Sequence, residues 1–439
     1  MSVLNSNALT KIQSIALIAI ILAAVMTGGI TYVLWRAGLP PPEAIRIGLS
    51  ADLDKLGKSG WQAALLAAEQ VNAEGGVLGR NITIVAEDDD NWVDLAVATN
   101  ALTRLITVDK ADFVVSTGAI GLVQQDVCSE HKKILITYFD PRSEYTQRVL
   151  DDYDKYKYYF RVYMANTTAQ TFGHLQGLAG LKNYTGFTKL GYLIPEASAE
   201  TAPILDTELP KLGFELVYRG RYAGVTTDFS SNFAAAEASG AEILFTIITA
   251  SDKSVSFVKE WCDRQAPLVV WGDIYLAGNE PGFWNLTEGK TEYIATVSTP
   301  TIMGYPLTSK TLPFRDAFLE KWGTVPKAGV AAVYDIVRFI LPDAIKRAGT
   351  TETEAVIKTL ETTSLETVMA RHFAFTSSHD VMVGESGTGE LGGQHLLYMV
   401  AQWQGGTQVP VYPGAIMKEA GATYKYPPWQ GPWSNKQPP

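Results

Sequence analysis

From residue 45 onward, short apolar runs alternate with helical patterns, and this alternation restricts the chain to a small set of folds. IRIGLS (45–50), NITIVA (81–86), FVVS (113–116) and ILITY (134–138) have strand character. Trp61, Ala64, Leu65, Ala68 and Val71 recur at helical spacing in the first interval, and Val93, Ala96, Val97 and Leu105 do so in the second. Strands separated by helices imply right-handed βαβ crossovers, and hence a parallel sheet covered on both faces. The rhythm pauses at YYFRVYM (158–164) and restarts with LGYLI (190–194), FELVY (214–218), EILFTIIT (242–249) and PLVVW (267–271). A second doubly wound unit is therefore expected after the first.

The two units echo one another. ADFVVSTG (111–118), a helix through Cys128 and ILITYFD (134–140) parallel AEILFTIIT (241–249), a helix through Cys262 and LVVWGD (268–273). Open α/β sheets bind ligands at loops outside the carboxyl ends of their strands, so each unit offers candidate loops there. Later come IATVSTPTI (294–302), a helix near 314–322, a strongly periodic helix near 331–348, HFAFTSSHDVMVG (372–384), HLLYMVAQW (395–403) and a tail rich in Pro and Trp. The late helices are expected to cover the first unit, which is short of helical cover.

Several local patterns invite a chemical reading and lose it on inspection. In VNAEGGVLGRNITIVAEDDD (71–90) the glycines lie between a helix and a strand, the reverse of the order that phosphate binding needs. They read as a helix terminator in which Gly75 or Gly76 takes the left-handed conformation. Asp88, Asp89 and Asp90 lack the glycine and final Glu of a calcium loop and read as a solvated strand end. GTGELG (387–392) has no strand closely before it and no helix after it, and LGKSG (56–60) has Asp52 where the first glycine of a phosphate loop should stand. The five histidines form no HExxH pair and no GxSxG occurs. No enzyme, metal or cofactor is expected.

The net charge of -10 and the absence of a basic run argue against a nucleic-acid partner. Cys128 and Cys262 are the only cysteines and have no CxxC spacing, so they read as free or buried thiols, with one long-range disulfide as the alternative. Residues 12–35 run for 24 residues without a charge, between Lys11 and Arg36. As a helix rising about 1.5 Å per residue, that run covers a bilayer's hydrocarbon core. It is expected to be an uncleaved single-pass anchor at the cell membrane, with cleavage near Lys11 or at Gly28 and Gly29 as alternatives. Residues 1–11 then form a short cytoplasmic N-terminus and 36–44 a stiff, Pro-rich linker. Sequons at Asn81, Asn166, Asn183 and Asn285 suit an exported, glycosylated domain.

The order of these elements resembles the type I periplasmic solute-binding proteins, in particular the branched-chain amino-acid (Leu/Ile/Val) binding family of ABC importers. The resemblance is carried by IRIGLSADLD (45–54), VNAEGGVLGR (71–80), NITIVAEDDD (81–90), ADFVVSTGA (111–119), YYFRVYM, VTTDFSSNFAAAEASGAEILF (225–245), FTSSHD (375–380) and AQWQGGTQVPVYP (401–413). It implies two Rossmann-like doubly wound lobes joined by a three-crossover hinge. Lobe 1 would comprise 45–162 and 299–373, lobe 2 would comprise 163–298 and 374–417, and 418–439 would be a tail. It further implies an extracytoplasmic domain, expected as a monomer, that closes on an amino acid or related small polar ligand and delivers it to an ABC permease. A ligand-sensing ectodomain of the same fold is the alternative, and against it only about 11 residues precede the anchor.

The resemblance also implies where ligand would sit. Thr117, Gly118, Ala119 and Ile120 occupy the loop that supplies small residues and backbone N–H groups to a carboxylate. The next loop, small or hydroxylated in the family, is Tyr138, Phe139 and Asp140 here, and PEASA (195–199) lacks the usual aromatic of lobe 2. Thr249, Asp252 and Asp273 are the lobe 2 candidates, the acids for an ammonium, with Tyr275 and Trp271 as walls. Trp271 also reads as core and Asp273 as a helix cap. Trp61, at the start of the first helix, lines the cleft or staples the loop. Acids facing one another from both lobes favour a cationic or polyhydroxylated ligand.

Overall fold

The computed structural model describes residues 42–435 apart from 55, 91–93, 118–120, 139, 164, 199 and 385–394. The expected anchor at 12–35 and GTGELG therefore lie outside the described residues. Among the described residues no helix is long and apolar enough to cross a membrane.

The first sheet is five-stranded, in the order β2-β1-β3-β4-β5. Its strands are β1 (Ile45–Ala51), β2 (Ile82–Asp88), β3 (Phe113–Ser116), β4 (Leu135–Thr137) and β5 (Tyr159–Arg161), paired in parallel throughout. Alternate residues of β1 explain the two layers. Ile45, Ile47, Leu49 and Ala51 face a core shared with the helix Leu56–Ala73 and with Val330, Val337 and Leu341 of the late helices. Gly48 points the other way, where a Cβ would come within 2.9 Å of the Ala111 Cβ, so the absence of a side chain lets that loop close in. The helices Leu95–Thr107, Val123–Glu130 and Ser143–Asp151 fill this second face around Leu102, Cys128, Tyr145 and Tyr159.

The second sheet has seven strands in the order β12-β11-β10-β9-β8-β6-β7. β6 (Lys189–Pro195), β7 (Glu215–Tyr222), β8 (Ile243–Ile248), β9 (Val269–Ile274) and β10 (Ala295–Val297) pair in parallel, whereas β11 (Val400–Gln404) and β12 (Thr407–Tyr412) add an antiparallel edge. Both cysteines are free.

Four expectations need correcting. Phe375, Val381 and Leu396 pack into the first core, so the chain leaves that lobe later than the boundary expected at 373/374. The tail is part of the second lobe: Tyr424 and Trp433 are buried in its core, and Trp429 Nε1 donates to the Ala266 carbonyl at 3.0 Å. The periodic late helix is interrupted by a π-helical turn, Ile336–Ile340, two residues before Pro342, which has no N–H to give the carbonyl of Arg338 in a regular helix. Finally, Asp89 is fully buried, not solvated, and accepts from the Ser50 hydroxyl at 2.7 Å because β1 and β2 bring the two side by side. Gly75 and Gly76 both take positive φ, 95° and 75°, at the helix end.

A cleft between two lobes

The carboxyl ends of both sheets open onto one cleft of about 850 Å³. Asp140 and Arg142 reach it from the loop after β4, Thr249 from the end of β8, and Asp273 and Tyr275 from the end of β9. The chain passages between lobes supply Tyr163, Ser298 and Tyr398, and the helix Thr167–Thr185 supplies Phe172 and His174. Most of the remaining wall is apolar, including Ile247, Met369 and Leu396.

Asp273 is the chemical centre of the cleft. Its backbone is fixed in β9 by pairing with β8, yet its carboxyl stays partly exposed to the cavity. Among the described residues no cation or hydrogen-bond donor reaches it, and burial pushes its pKa up to about 6. The phenols of Tyr163, Tyr222 and Tyr398 all feel this carboxyl: they are raised, first by burial and then, among other influences, by its charge. His174 Nδ1 lies 2.5 Å from the Tyr398 hydroxyl, and burial pushes the imidazole down to about 3, so it is neutral at physiological pH. An acid amid aromatic rings and without a partner is suited to a protonated nitrogen.

On the opposite wall Asp140 is almost completely buried, and burial raises its pKa against the lowering effect of Arg142. Arg142 donates its backbone N–H to Asp140 Oδ1 at 3.3 Å and places Nη1 3.5 Å from Oδ2, leaving much of its guanidinium open to solvent. The lobes meet beyond the cleft as well. Lys327 Nζ of the first lobe lies 2.9 Å from Glu280 Oε2 of the second, and the Ala328 N–H points to the Asn279 carbonyl at 3.4 Å. The Tyr275 phenol, raised first by burial, also feels Asp52 from the first lobe. The two lobes therefore touch one another on the far side of the cleft.

Of the residues singled out in the sequence, Asp140, Thr249, Asp273 and Tyr275 line the cleft. Gly118, Ala119, Ile120 and Phe139 lie outside the described residues. Thr117 is buried and gives its N–H to the Ser50 carbonyl at 2.9 Å, extending the sheet. Tyr138 is buried beneath the cleft against Gly329, whose Cβ would stand 2.8 Å from its ring. Trp61 packs against the first core and Trp271 is core in the second lobe, while Asp252 is exposed on the helix Ser251–Asp263, with Lys253 Nζ 3.8 Å away. None of these three is among the described residues lining the cleft. Asp273 does not cap the helix Tyr275–Asn279.

Among the sequons, Asn81, Asn183 and Asn285 are exposed. Asn166 is not presented to solvent in that way: its Oδ1 caps the helix Thr167–Thr185 at the Ala169 N–H, 2.9 Å, and its Nδ2 donates to Asp380 at 3.0 Å. Arg142, Tyr163, His174 and Tyr398 were not singled out from the sequence. The one available signal was compositional, a basic residue two positions after Asp140 at the mouth of a strand.

Known proteins share this architecture. A model of the periplasmic binding protein family matches residues 45–391. Leu/Ile/Val-binding protein homolog 7 of Brucella abortus is 24% identical over 405 residues, covering 87% of this chain and 94% of that one. A crystal structure from Silicibacter pomeroyi, assigned to a branched-chain amino acid ABC transporter, superposes with a TM-score of 0.76 at 18% identity, covering 88% of this chain and 100% of the other. LivJ from Streptococcus pneumoniae, a branched-chain amino acid transporter substrate-binding protein in complex with isoleucine, gives a TM-score of 0.66 at 18% identity, covering 83% and 97%. Such relatives are solute-binding proteins, not enzymes. With two doubly wound lobes sharing one cleft and the family match spanning most of its length, the chain belongs to the periplasmic binding protein family.

Proposed function

We propose that this protein is an extracytoplasmic receptor for a small ligand bearing a protonated nitrogen and an apolar body, an amino acid or a close analogue, which it hands to an ABC importer. The observation that carries the reading is Asp273: a carboxyl with no partner among the described residues, at the end of a central strand, in a cleft bounded by both lobes that Tyr163, Tyr275 and Tyr398 also line. The Arg142 guanidinium on the facing wall suits a ligand carboxylate. Ligand that touches both lobes favours the closed state by its additional contacts there, and that differential alone shifts the population. A permease then reads closure. In the same reading the apolar run 12–35 holds the domain at the membrane surface.

The ligand class also draws support from a relative, since the LivJ structure contains isoleucine, which has both the ammonium and the apolar body; benzoate, held by a solute-binding protein from R. palustris with a TM-score of 0.64, shares only the carboxylate and the apolar body. A thermal-shift panel on the chain lacking residues 1–43 tests the proposal, using amino acids, amides, polyamines, aromatic acids and sugars. Saturable stabilisation by an amine-bearing compound is the expected result, because ligand bound only to the folded state raises its stability with concentration. Silence across the panel, with no change in scattering radius, would overturn it.

A further inference from the structure

Arg161 ends β5, is fully buried, and finds an acceptor for every one of its five guanidinium donors. Nε and Nη2 form a two-pronged pair with Asp380, 2.7 Å to Oδ1 and 2.5 Å to Oδ2. Nη1 donates to the carbonyls of Asp140 and Arg142, both at 2.9 Å, and Nη2 also reaches Thr146 Oγ1 at 3.5 Å. The carbonyl between those two, of Pro141, accepts from the Thr167 N–H at 2.9 Å and from its hydroxyl at 3.2 Å. Three successive carbonyls of the cleft loop are therefore held by the two ends of the first interlobe passage.

Asp380 extends the unit to the hinge. Its Oδ1 accepts from the Val381 N–H at 3.0 Å, and its Oδ2 from Asn166 Nδ2 at 3.0 Å, the same Asn166 whose Oδ1 caps the first helix of the second lobe. The Arg161 N–H in turn binds the His379 carbonyl at 2.9 Å. A buried ion pair is a poor way to gain stability, since apolar residues of similar volume do as well or better. What this one supplies is geometry.

We propose that Arg161 is a positioning residue for the ligand cleft: with Asp380 it fixes the backbone of 140–142, and so the side chains of Asp140 and Arg142, and couples that loop to the hinge. Its ligand arm rests on the function proposed above; its conformational arm does not. The test compares the parent, Arg161→Met and the double variant Arg161→Met/Asp380→Leu, each in the full chain in detergent. Spin labels are placed through Leu150→Cys and Val225→Cys, exposed positions in opposite lobes, in a Cys262→Ser background.

The single variant leaves Asp380 buried without its cation and lowers the denaturation midpoint, and the double variant recovers it. Despite that recovery, the ligand-free double variant is expected to show a broadened interlobe distance distribution and at least tenfold faster amide exchange across 140–146. Where L-isoleucine binds the parent, the double variant should bind it at least tenfold more weakly. A double variant that recovers the midpoint together with the parent's distance distribution and loop exchange overturns the proposal, because a purely structural pair would be restored in all respects. A parent that ignores L-isoleucine and every amine-bearing compound of the thermal-shift panel speaks against the ligand class, while the two ligand-free measurements still decide the role of Arg161.

Discussion

Replacing Asp273 by Asn tests the centre of the cleft through both stability and binding. Burial moves this carboxyl from 3.8 to about 6, and at about 1.36 kcal/mol per pH unit the ionised form costs the empty protein ~3 kcal/mol. The side chain still opens onto cleft water, and solvent screening reduces this to ~1–2 kcal/mol. Because the folded-state pKa is raised, the native protein holds its proton more tightly than the unfolded chain between about pH 4 and pH 6, and stability falls as pH rises through that window. Asp273→Asn removes this contribution to the pH dependence. Urea denaturation at intervals from pH 4 to pH 8 should show the variant gaining ~1–2 kcal/mol over the parent above pH 6 and nothing near pH 4. At pH 7.5 the same variant should lose the stabilisation that an amine ligand gives the parent. Parallel pH profiles for the two proteins would refute the burial argument, and undiminished ligand stabilisation would refute the cationic partner.

Other perturbations probe the frame around the cleft. Asp335 is buried, accepts the N–H groups of Val368 and Met369 at 2.8 and 3.3 Å, and is pushed up to about 7 by burial. The parent should therefore also lose stability as pH rises from about 4 to about 7, overlapping the Asp273 window and running past it, and Asp335→Asn should flatten the part of the denaturation profile above about pH 6 that Asp273 does not reach. Lys327→Ala removes the interlobe ion pair; partly exposed, it is worth at most ~1 kcal/mol, so the expected effect is a larger ligand-free scattering radius, imitated in the parent by high salt. Gly329 has φ of 76°, and its Cβ would stand 2.8 Å from the Tyr138 ring, so Gly329→Ala should cost ~1–3 kcal/mol in chemical denaturation.

The lobes were legible in the sequence because each βαβ unit declares itself locally, in a run of apolar strand residues and a following helical stripe. The position of Asp140, Thr249 and Asp273 was legible for a related reason: a residue just past a buried parallel strand has to emerge at the carboxyl edge of its sheet. Contacts made across long separations were not. His174 meets Tyr398 from 224 residues away, and Arg161 meets Asp380 from 219. No local pattern distinguishes these residues from ordinary helix or loop positions, although a lone Arg in the apolar run YYFRVYM asked for a buried partner. Asp89 misled for the same reason, since four consecutive acidic residues look solvated until β1 sets Ser50 beside one of them.

The order in which the chain contributes to each sheet has a consequence for its synthesis. β1 to β5 emerge first, but their core is completed only by helices near residue 340 and by Leu396. β6 to β10 follow, and their sheet waits for β11 and β12, then for Tyr424 and Trp433. Such distant closures slow folding: the first half waits for residue 396 and the second for the last strands. In a nascent or truncated chain ending before residue 400, β10 is the edge of that sheet, and the backbone groups that β11 pairs with are left unpaired, the kind of edge that pairs with other chains.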